Sequence, residues 1–326
     1  MTEIMINNTP ELCDIRDAVF NSIYEIAQYD PDVILLTADM GAMGLGKFKK
    51  DFSHQFFNVG IAEQNMLNVA AGLALGRKKV FVYGIAPFVT MRCYEQIKAA
   101  ICDMKLNVHI IGAGAGFTYG SDGPTHHAIH DIACMRILPG MTVFSPSDAE
   151  TAAASIKYAY DQQGPTYIRL DKGLLPNLLN ELDWDVKEGA RQIQHGSDVS
   201  IFSTGIMSHT AVKVAKKLRN YNVSARVIDV FRLSPLNKEM ILDLIQGVHY
   251  MITLEEHVYD GGMGSIITEL VSDAGCEIRL KRIALANGMS SLYGDRNWLH
   301  KRYNIDADTV LNTILSFIES GYKVNI

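Results

Sequence analysis

Positive charge is in short supply in this chain of 326 residues: 30 Lys and Arg stand against 36 Asp and Glu, a formal net charge of −6. Polyanion binding needs a basic face that releases counterions, so the balance argues against nucleic acid as the main partner. Long apolar runs are missing too. No stretch reaches the about 18–20 residues a membrane helix needs, and the first eight residues lack a basic region followed by an apolar one. The sequence reads as soluble, unexported and cytoplasmic, with no membrane partner. Cysteine is scarce: Cys13, Cys93, Cys102, Cys134 and Cys276 are odd in number and scattered, without the close pairs of zinc or dithiol redox motifs. They are expected to be reduced and mostly buried. Only 20% of residues are charged while 48% are hydrophobic, which excludes a disordered chain. Low-complexity tracts and short-period repeats are absent as well.

What is present is an alternation of short β-branched or apolar runs with longer amphipathic ones, the signature of βα units around parallel sheets. The fold class is α/β. Predicted strands cover 33–36, 80–83, 108–111, 142–144 and 166–168, with helices over 15–27, 63–75, 87–102 and 149–160 between them. The pattern breaks over 171–197, a polar stretch that suits a linker with one hairpin strand. A second series follows, with strands at 199–202, 225–228, 250–253 and 280–284 and helices over 208–218, 238–245, 265–274 and 308–318. Two domains are expected, 1–180 and 181–326, each a mostly parallel sheet flanked by helices.

Several segments could carry chemistry. Gly41-Ala42-Met43-Gly44-Leu45-Gly46-Lys47-Phe48 follows a strand and nearly spells a phosphate-binding P-loop, but Phe48 stands where Ser or Thr must hold magnesium. With Lys49-Lys50-Asp51 behind it, the stretch reads as a flexible, partly basic loop. Gly112-Ala113-Gly114-Ala115-Gly116 also follows a strand, yet its third glycine is misplaced for a dinucleotide fingerprint. The loop from Tyr119 to Asp131 is richer. It gathers Asp122, His126, His127 and His130 at a strand's carboxyl end, where open α/β sheets hold ligands. Contacts to an organic substrate, a plain polar surface and a metal on His126, His130 and Asp131 all stay open for it; no strict metal motif is present and no metal is assigned. Glu63 opens a helix rich in Ala and Gly. An acid there is often only a favourable first-turn charge worth about 0.3–1 kcal/mol. Close packing through Ala70-Ala71-Gly72 would instead hold it in a poorly solvated place, where a carboxyl can relay a proton. Phe88 and Tyr94 follow the next strand; such a pair is usually core, though its faces would also suit a flat cofactor ring.

In this order, the segments resemble the pyrimidine-binding and carboxyl-terminal domains of the transketolase family of thiamine diphosphate enzymes over almost the whole chain. The resemblance rests on Gly60-Ile61-Ala62-Glu63-Gln64-Asn65, on Phe88 to Gln96, and on Ser121-Asp122-Gly123-Pro124-Thr125-His126 with Phe144-Ser145-Pro146-Ser147-Asp148. The Gly-Pro-Thr-His form is closer to transketolase proper than to deoxyxylulose-phosphate synthase. What it implies is a set of roles. Glu63 would hydrogen-bond the aminopyrimidine nitrogen and favour the imino tautomer that takes the thiazolium proton. Phe88 would stack on that ring, with Tyr94 and Tyr83 as weaker pocket-wall candidates and Asp39 near the thiazolium. Asp122 and His126 would contact substrate hydroxyls and the developing alkoxide. Arg16 and Arg169 match arginines that clamp a sugar phosphate, with an ordinary ion pair as the other reading of both.

The family's diphosphate-binding domain, with a Gly-Asp-Gly stretch and an Asn that hold magnesium, has no counterpart here; Gly294-Asp295-Arg296-Asn297 lies in the second domain and does not substitute for it. The resemblance therefore implies the carboxyl-terminal subunit of a split transketolase. Thiamine diphosphate and Mg2+ would lie against a separate amino-terminal subunit, most simply in an α2β2 heterotetramer, and a two-carbon ketol unit would pass from a ketose or ketose phosphate to an aldose. A family His near Gly114 and a family Ser near Met43 are missing, which leaves phosphate recognition open. Rival readings are a 2-oxo acid dehydrogenase beta subunit or deoxyxylulose-phosphate-synthase-like decarboxylating enzyme, and a non-catalytic subunit; retention of Glu63, Phe88, Asp122 and His126 together argues against the last. In the second domain, Glu255-Glu256-His257 with Gly261-Gly262-Met263-Gly264-Ser265 matches the family, and His257 is expected to be structural or at a subunit contact.

Overall fold

A computed structural model describes residues 12–179, 184–286 and 292–322. Its strands in chain order are β1 (Leu12–Asp14), β2 (Val33–Thr37), β3 (Phe56–Asn58), β4 (Lys79–Ile85), β5 (Val108–Ala113), β6 (Thr142–Phe144), β7 (Thr166–Leu170), β8 (Leu174–Pro176), β9 (Ala190–Gln194), β10 (Val199–Ser203), β11 (Ala225–Val230), β12 (Arg232–Ser234), β13 (Tyr250–Val258) and β14 (Arg279–Leu285). One sheet has the order β12-β6-β7-β5-β4-β2-β3, a second β14-β13-β10-β11-β9, and β1 pairs with β8 alone. Both larger sheets are parallel except at one edge each, where β12 and β9 run antiparallel. Every residue of β2, β5 and β7 is buried, as expected of strands covered by helices on both faces. The chain leaves β2 for β3 on one side, then crosses back to β4 on the other. That reversal opens a crevice at the carboxyl ends of β2 and β4.

The sheets share their packing. One apolar cluster runs from Val82 and Ile110 of the first sheet to Phe202, Ile228 and Met251 of the second. Three departures from the sequence reading are physical. The Gly41–Lys50 stretch, read as a flexible loop, contains the helix Met43–Asp51, because Leu45 and Phe48 bury on one face and join the cluster of Phe20. The single helix expected over 87–102 is broken into Ala86–Val89, Met91–Cys93, Tyr94–Gln96 and a π-helical turn Ile97–Cys102, since the Gln64 side chain takes the Arg92 carbonyl and Thr90 leaves helical geometry at φ −114°, ψ −85°. In the linker, β8 pairs back to β1, and β9 joins β11 across the second sheet rather than forming a hairpin. A further helix, Arg296–Arg302, was not anticipated; Asp295 caps it by accepting the Asn297 and Trp298 N–H groups.

Buried charges weld the sheets together. Arg169, only 2% exposed, donates to Asp131 at 2.9 Å, to the Ala128 carbonyl at 2.8 Å and to the Glu256 carbonyl at 3.0 Å. Arg296 donates to Glu256 at 2.5 Å and to Asp171 at 2.9 Å, while His300 donates to Glu256 at 2.5 Å. Burial alone would raise the Glu256 carboxyl, but Arg296 and His300 outweigh it and hold it well below the usual carboxylate range. On the far side Arg191 bridges Asp148 at 2.5 Å and Asp229 at 3.1 Å. His257 is fully buried, its Nδ1 on the Val258 carbonyl at 2.9 Å and its Nε2 facing the Ala133 N–H at 3.4 Å. All five cysteines are free, and among the described residues no helix is long and apolar enough to cross a membrane.

This seam makes two predictions about stability. Gly116 sits at φ +57°, and a Cβ there would lie 1.8 Å from the Glu256 carboxylate; Gly116→Ala is expected to lower stability by about 3 kcal/mol or more, read from the urea midpoint. Burial pushes His257 down from 6.5 to about 4. Its folded form therefore binds fewer protons than its unfolded form between those values, so its contribution is complete above pH 6.5 and is lost as pH falls toward 4. The loss should reach ~3 kcal/mol. Glu255, raised by burial to about 7, works in the opposite sense, so the comparison is made between wild type and His257→Asn, both of which carry it. Urea midpoints over pH 4–7 should fall less steeply toward acid in the variant; parallel curves would contradict the assignment.

Candidate functional site

The crevice between β2 and β4 is built from strand ends. Asp39, one residue beyond β2 and its buried Ala38, takes a left-handed conformation at φ +54°. Its N–H donates to the Asn58 side-chain oxygen at 2.9 Å, and the Asn58 amide donates back to its carboxylate at 3.2 Å. The same Asn58 oxygen accepts the Gly60 N–H at 3.0 Å. One amide thus ties the loops after β2 and β3. Gly60 at φ +76° makes the turn that a side chain would strain, and three residues later Glu63 begins the helix Glu63–Leu75.

Glu63 is 7% exposed, and its Oε2 accepts from the Arg92 guanidinium at 2.9 Å. The same guanidinium lies 4.0 Å over the ring of Phe88, which the short helix after β4 presents half-buried. His126 approaches Phe88 at 5.0 Å between ring centroids with planes 64° apart. Its Nδ1 is 3.0 Å from the Thr125 hydroxyl, and Tyr119 stands 6.3 Å away on another side. Glu63, Arg92, Phe88 and His126 form one contiguous group, and Lys172 over the Tyr119 ring at 5.2 Å extends it.

The loop that carries His126 is pinned internally. Gly116 and Ala128 exchange both backbone hydrogen bonds at 3.0 Å, and buried His127 sits edge-on to Phe117, its Nε2 3.3 Å from the Gly120 carbonyl. Burial keeps His127 below its ordinary value. Asp122 is exposed on the loop's crest, its N–H donating to the Tyr119 carbonyl. Asp131 is fully buried on Arg169 and Tyr167, so it does not join His126 and His130; among the described residues no group of three His, Cys, Asp or Glu is placed to hold a metal.

Other expected residues lie elsewhere. Tyr83 is core, fully buried and edge-on to Phe20 at 4.9 Å, with burial raising its hydroxyl far above the usual range. Tyr94 donates to the Cys134 carbonyl at 3.0 Å and packs on the shared apolar cluster. Arg169 spends its donors on the seam and presents no free fork to a phosphate. Arg16 folds back on Asp14 at 3.0 Å, partly exposed and within electrostatic reach of Tyr83 and Tyr119. Arg92 and Asn58 were missed. Arg92 lies inside the Phe88 to Gln96 stretch, but a cation there is silent until the break in the helix turns it back toward Glu63.

Comparison with known proteins agrees with this organisation. The transketolase pyrimidine binding domain matches residues 12–177 and the transketolase carboxyl-terminal domain residues 188–310. One of the two subunits of an apulose-4-phosphate transketolase from Phocaeicola vulgatus is 33% identical over 93% of this chain and 97% of its own. A 6-deoxy-6-sulfo-D-fructose transketolase subunit from a Clostridium species is 30% identical over 91% of this chain and 92% of its own. A solved split-gene transketolase, described as an inactive beta4 tetramer, superposes with a TM-score of 0.84 at 33% identity, covering 94% of this chain and 98% of that one. Two domains, a crevice at the carboxyl ends of the first sheet and relatives of matching length lead to one conclusion: this chain belongs to the transketolase family, among relatives that are subunits of split transketolases.

Proposed function

We propose that this chain is the carboxyl-terminal subunit of a thiamine diphosphate-dependent transketolase that moves a two-carbon ketol unit from a ketose to an aldose. The observation that carries the reading is the pairing of a buried carboxylate with an aromatic face: Glu63 and Phe88 are bridged by one planar cation. A flat heteroaromatic ring needs those same two contacts, stacking and a carboxylate partner for a ring nitrogen, so the residues fit the aminopyrimidine of the cofactor. When bound, that cofactor supplies the nucleophilic carbon that accepts the ketol unit. The protein's part is positional. Glu63 holds the ring nitrogen and its proton, Phe88 sets the ring plane, and His126 and Asp122 face the substrate's oxygens from the loop above. Asp39, fastened by Asn58, would border the thiazolium.

Diphosphate and Mg2+ would be held by an amino-terminal subunit. Relatives of matching length support this, since their names describe them as subunits of a transketolase. So does the rim of the crevice, where Met43, Ile61 and Met91 are exposed apolar side chains of the kind another chain covers. An α2β2 assembly is the simplest that completes each site. Of the two arginines first assigned to phosphate, Arg16 alone keeps that role here, because Arg169 is saturated inside the seam. Relatives are named for apulose 4-phosphate and for a sulfo-sugar, and this supports a ketose bearing an anionic end group as donor.

Ketol transfer should be undetectable with the chain by itself and appear on mixing with an amino-terminal transketolase chain, Mg2+ and thiamine diphosphate; turnover by the isolated chain would refute the two-subunit reading. Glu63→Gln should leave that assembly intact while slowing deuterium exchange at the thiazolium carbon by about 100-fold or more. An unchanged exchange rate would remove Glu63 from the proton relay.

A further inference from the structure

Arg92 meets both requirements that the proposed cofactor ring would meet. Its guanidinium is planar, lies at stacking distance over Phe88, 4.0 Å from the ring centre, and donates to Glu63 at 2.9 Å. A ring stacked on this face of Phe88 and hydrogen-bonded to Glu63 would have to occupy the same volume. The arginine can leave without unravelling its segment. Its backbone carbonyl is fastened by the Gln64 amide at 3.1 Å, and the next residue, Cys93, is anchored by its N–H on the Thr90 carbonyl and its thiol on the Phe88 carbonyl. The side chain itself is 45% exposed, so solvent is available to receive it.

We propose that Arg92 is a placeholder for the aminopyrimidine: it neutralises Glu63 and covers Phe88 while the cofactor is absent, and it must swing out before the ring can enter. The inference rests on the reading of Glu63 and Phe88 as the aminopyrimidine subsite. The physical reason for such a device is the cost of leaving Glu63, 7% exposed, charged and unpaired beside an aromatic surface. A cation that fills the gap keeps the free subunit stable. The consequence is a penalty on binding, because only the fraction of molecules with Arg92 displaced can accept the ring, and apparent affinity falls by that fraction.

The test uses the whole chain and thiamine, which carries the aminopyrimidine without the diphosphate. Calorimetric titration should show Arg92→Met binding thiamine on the order of tenfold more tightly than wild type, with Arg92→Lys, which keeps the charge but loses the planar head, between them. In wild type, the side-chain Nε–H resonance of Arg92, assigned by its absence from the Arg92→Met spectrum, should move toward the position of a solvated arginine as thiamine saturates. Equal or weaker binding by Arg92→Met, no detectable binding by any form, or an Arg92 resonance indifferent to thiamine would overturn the proposal. Glu63→Gln, made in wild type and in the Arg92→Met background, separates the two ideas. If it weakens binding while Arg92→Met brings no gain, the placeholder fails and the subsite stands; if it has no effect in either background, the subsite reading falls and the placeholder with it.

Discussion

Arg169, a guanidinium with almost no access to water, is the joint on which the rest of the molecule depends. Its donors reach Asp131 and the Ala128 carbonyl on one side and the Glu256 carbonyl of β13 on the other. A buried pair of this kind adds little net stability over a well-packed apolar substitute, but losing one partner strands a charge at a cost of about 3–5 kcal/mol. What it confers is a unique arrangement. Asp131 opens the helix that closes the histidine loop, and Arg296, through Asp171 and the Ala115 carbonyl, fastens the other end of the same loop. The second domain therefore acts on the site from beneath. It holds both ends of the segment that carries Asp122 and His126, although it contributes neither of them.

The crevice shows the complementary strategy. Its groups are held at the backbone and left free at the tip: Asn58 fixes Asp39 and Gly60, Gln64 fixes the Arg92 carbonyl, and the paired strands beneath are wholly buried. Rigid supports with exposed functional tips are what transition-state positioning requires. The one charge sunk into this region, Glu63, is matched by Arg92 and by the aromatic face under it. That trio is a compact answer to a general conflict, since a carboxylate useful for proton chemistry is costly to keep buried without a partner.

Periodicity made most of the fold legible. The fully buried strands β2, β5 and β7 announce themselves as apolar runs, and the helices Ile15–Ala27 and Glu63–Leu75 as one-sided patterns. The helix Met43–Asp51 stayed hidden because three glycines and a lysine cluster speak against helix locally, and only burial of Leu45 and Phe48 against the Phe20 cluster overrides them. The break near Thr90 was equally silent, because it is imposed from outside by the Gln64 side chain. Within the site, Glu63, Phe88, Asp122 and His126 were found as segments of a recognisable order, whereas Tyr83 and Tyr94 were aromatics whose neighbours in space turn out to be core.

By itself the sequence determined the class, the order of elements and the family, because these depend on local pattern and on motifs contiguous in the chain. It also determined that nucleic acid is an unsuitable main partner, since charge balance needs no structure. Tertiary structure decided the division of labour among the charged residues. Arg169 and Arg92 are both arginines in β-to-loop contexts, and nothing local distinguishes them. Long-range neighbours made the first a sealed joint between sheets and set the second over Phe88 and Glu63, because the environment of a charge is fixed by groups distant in the chain and near in space.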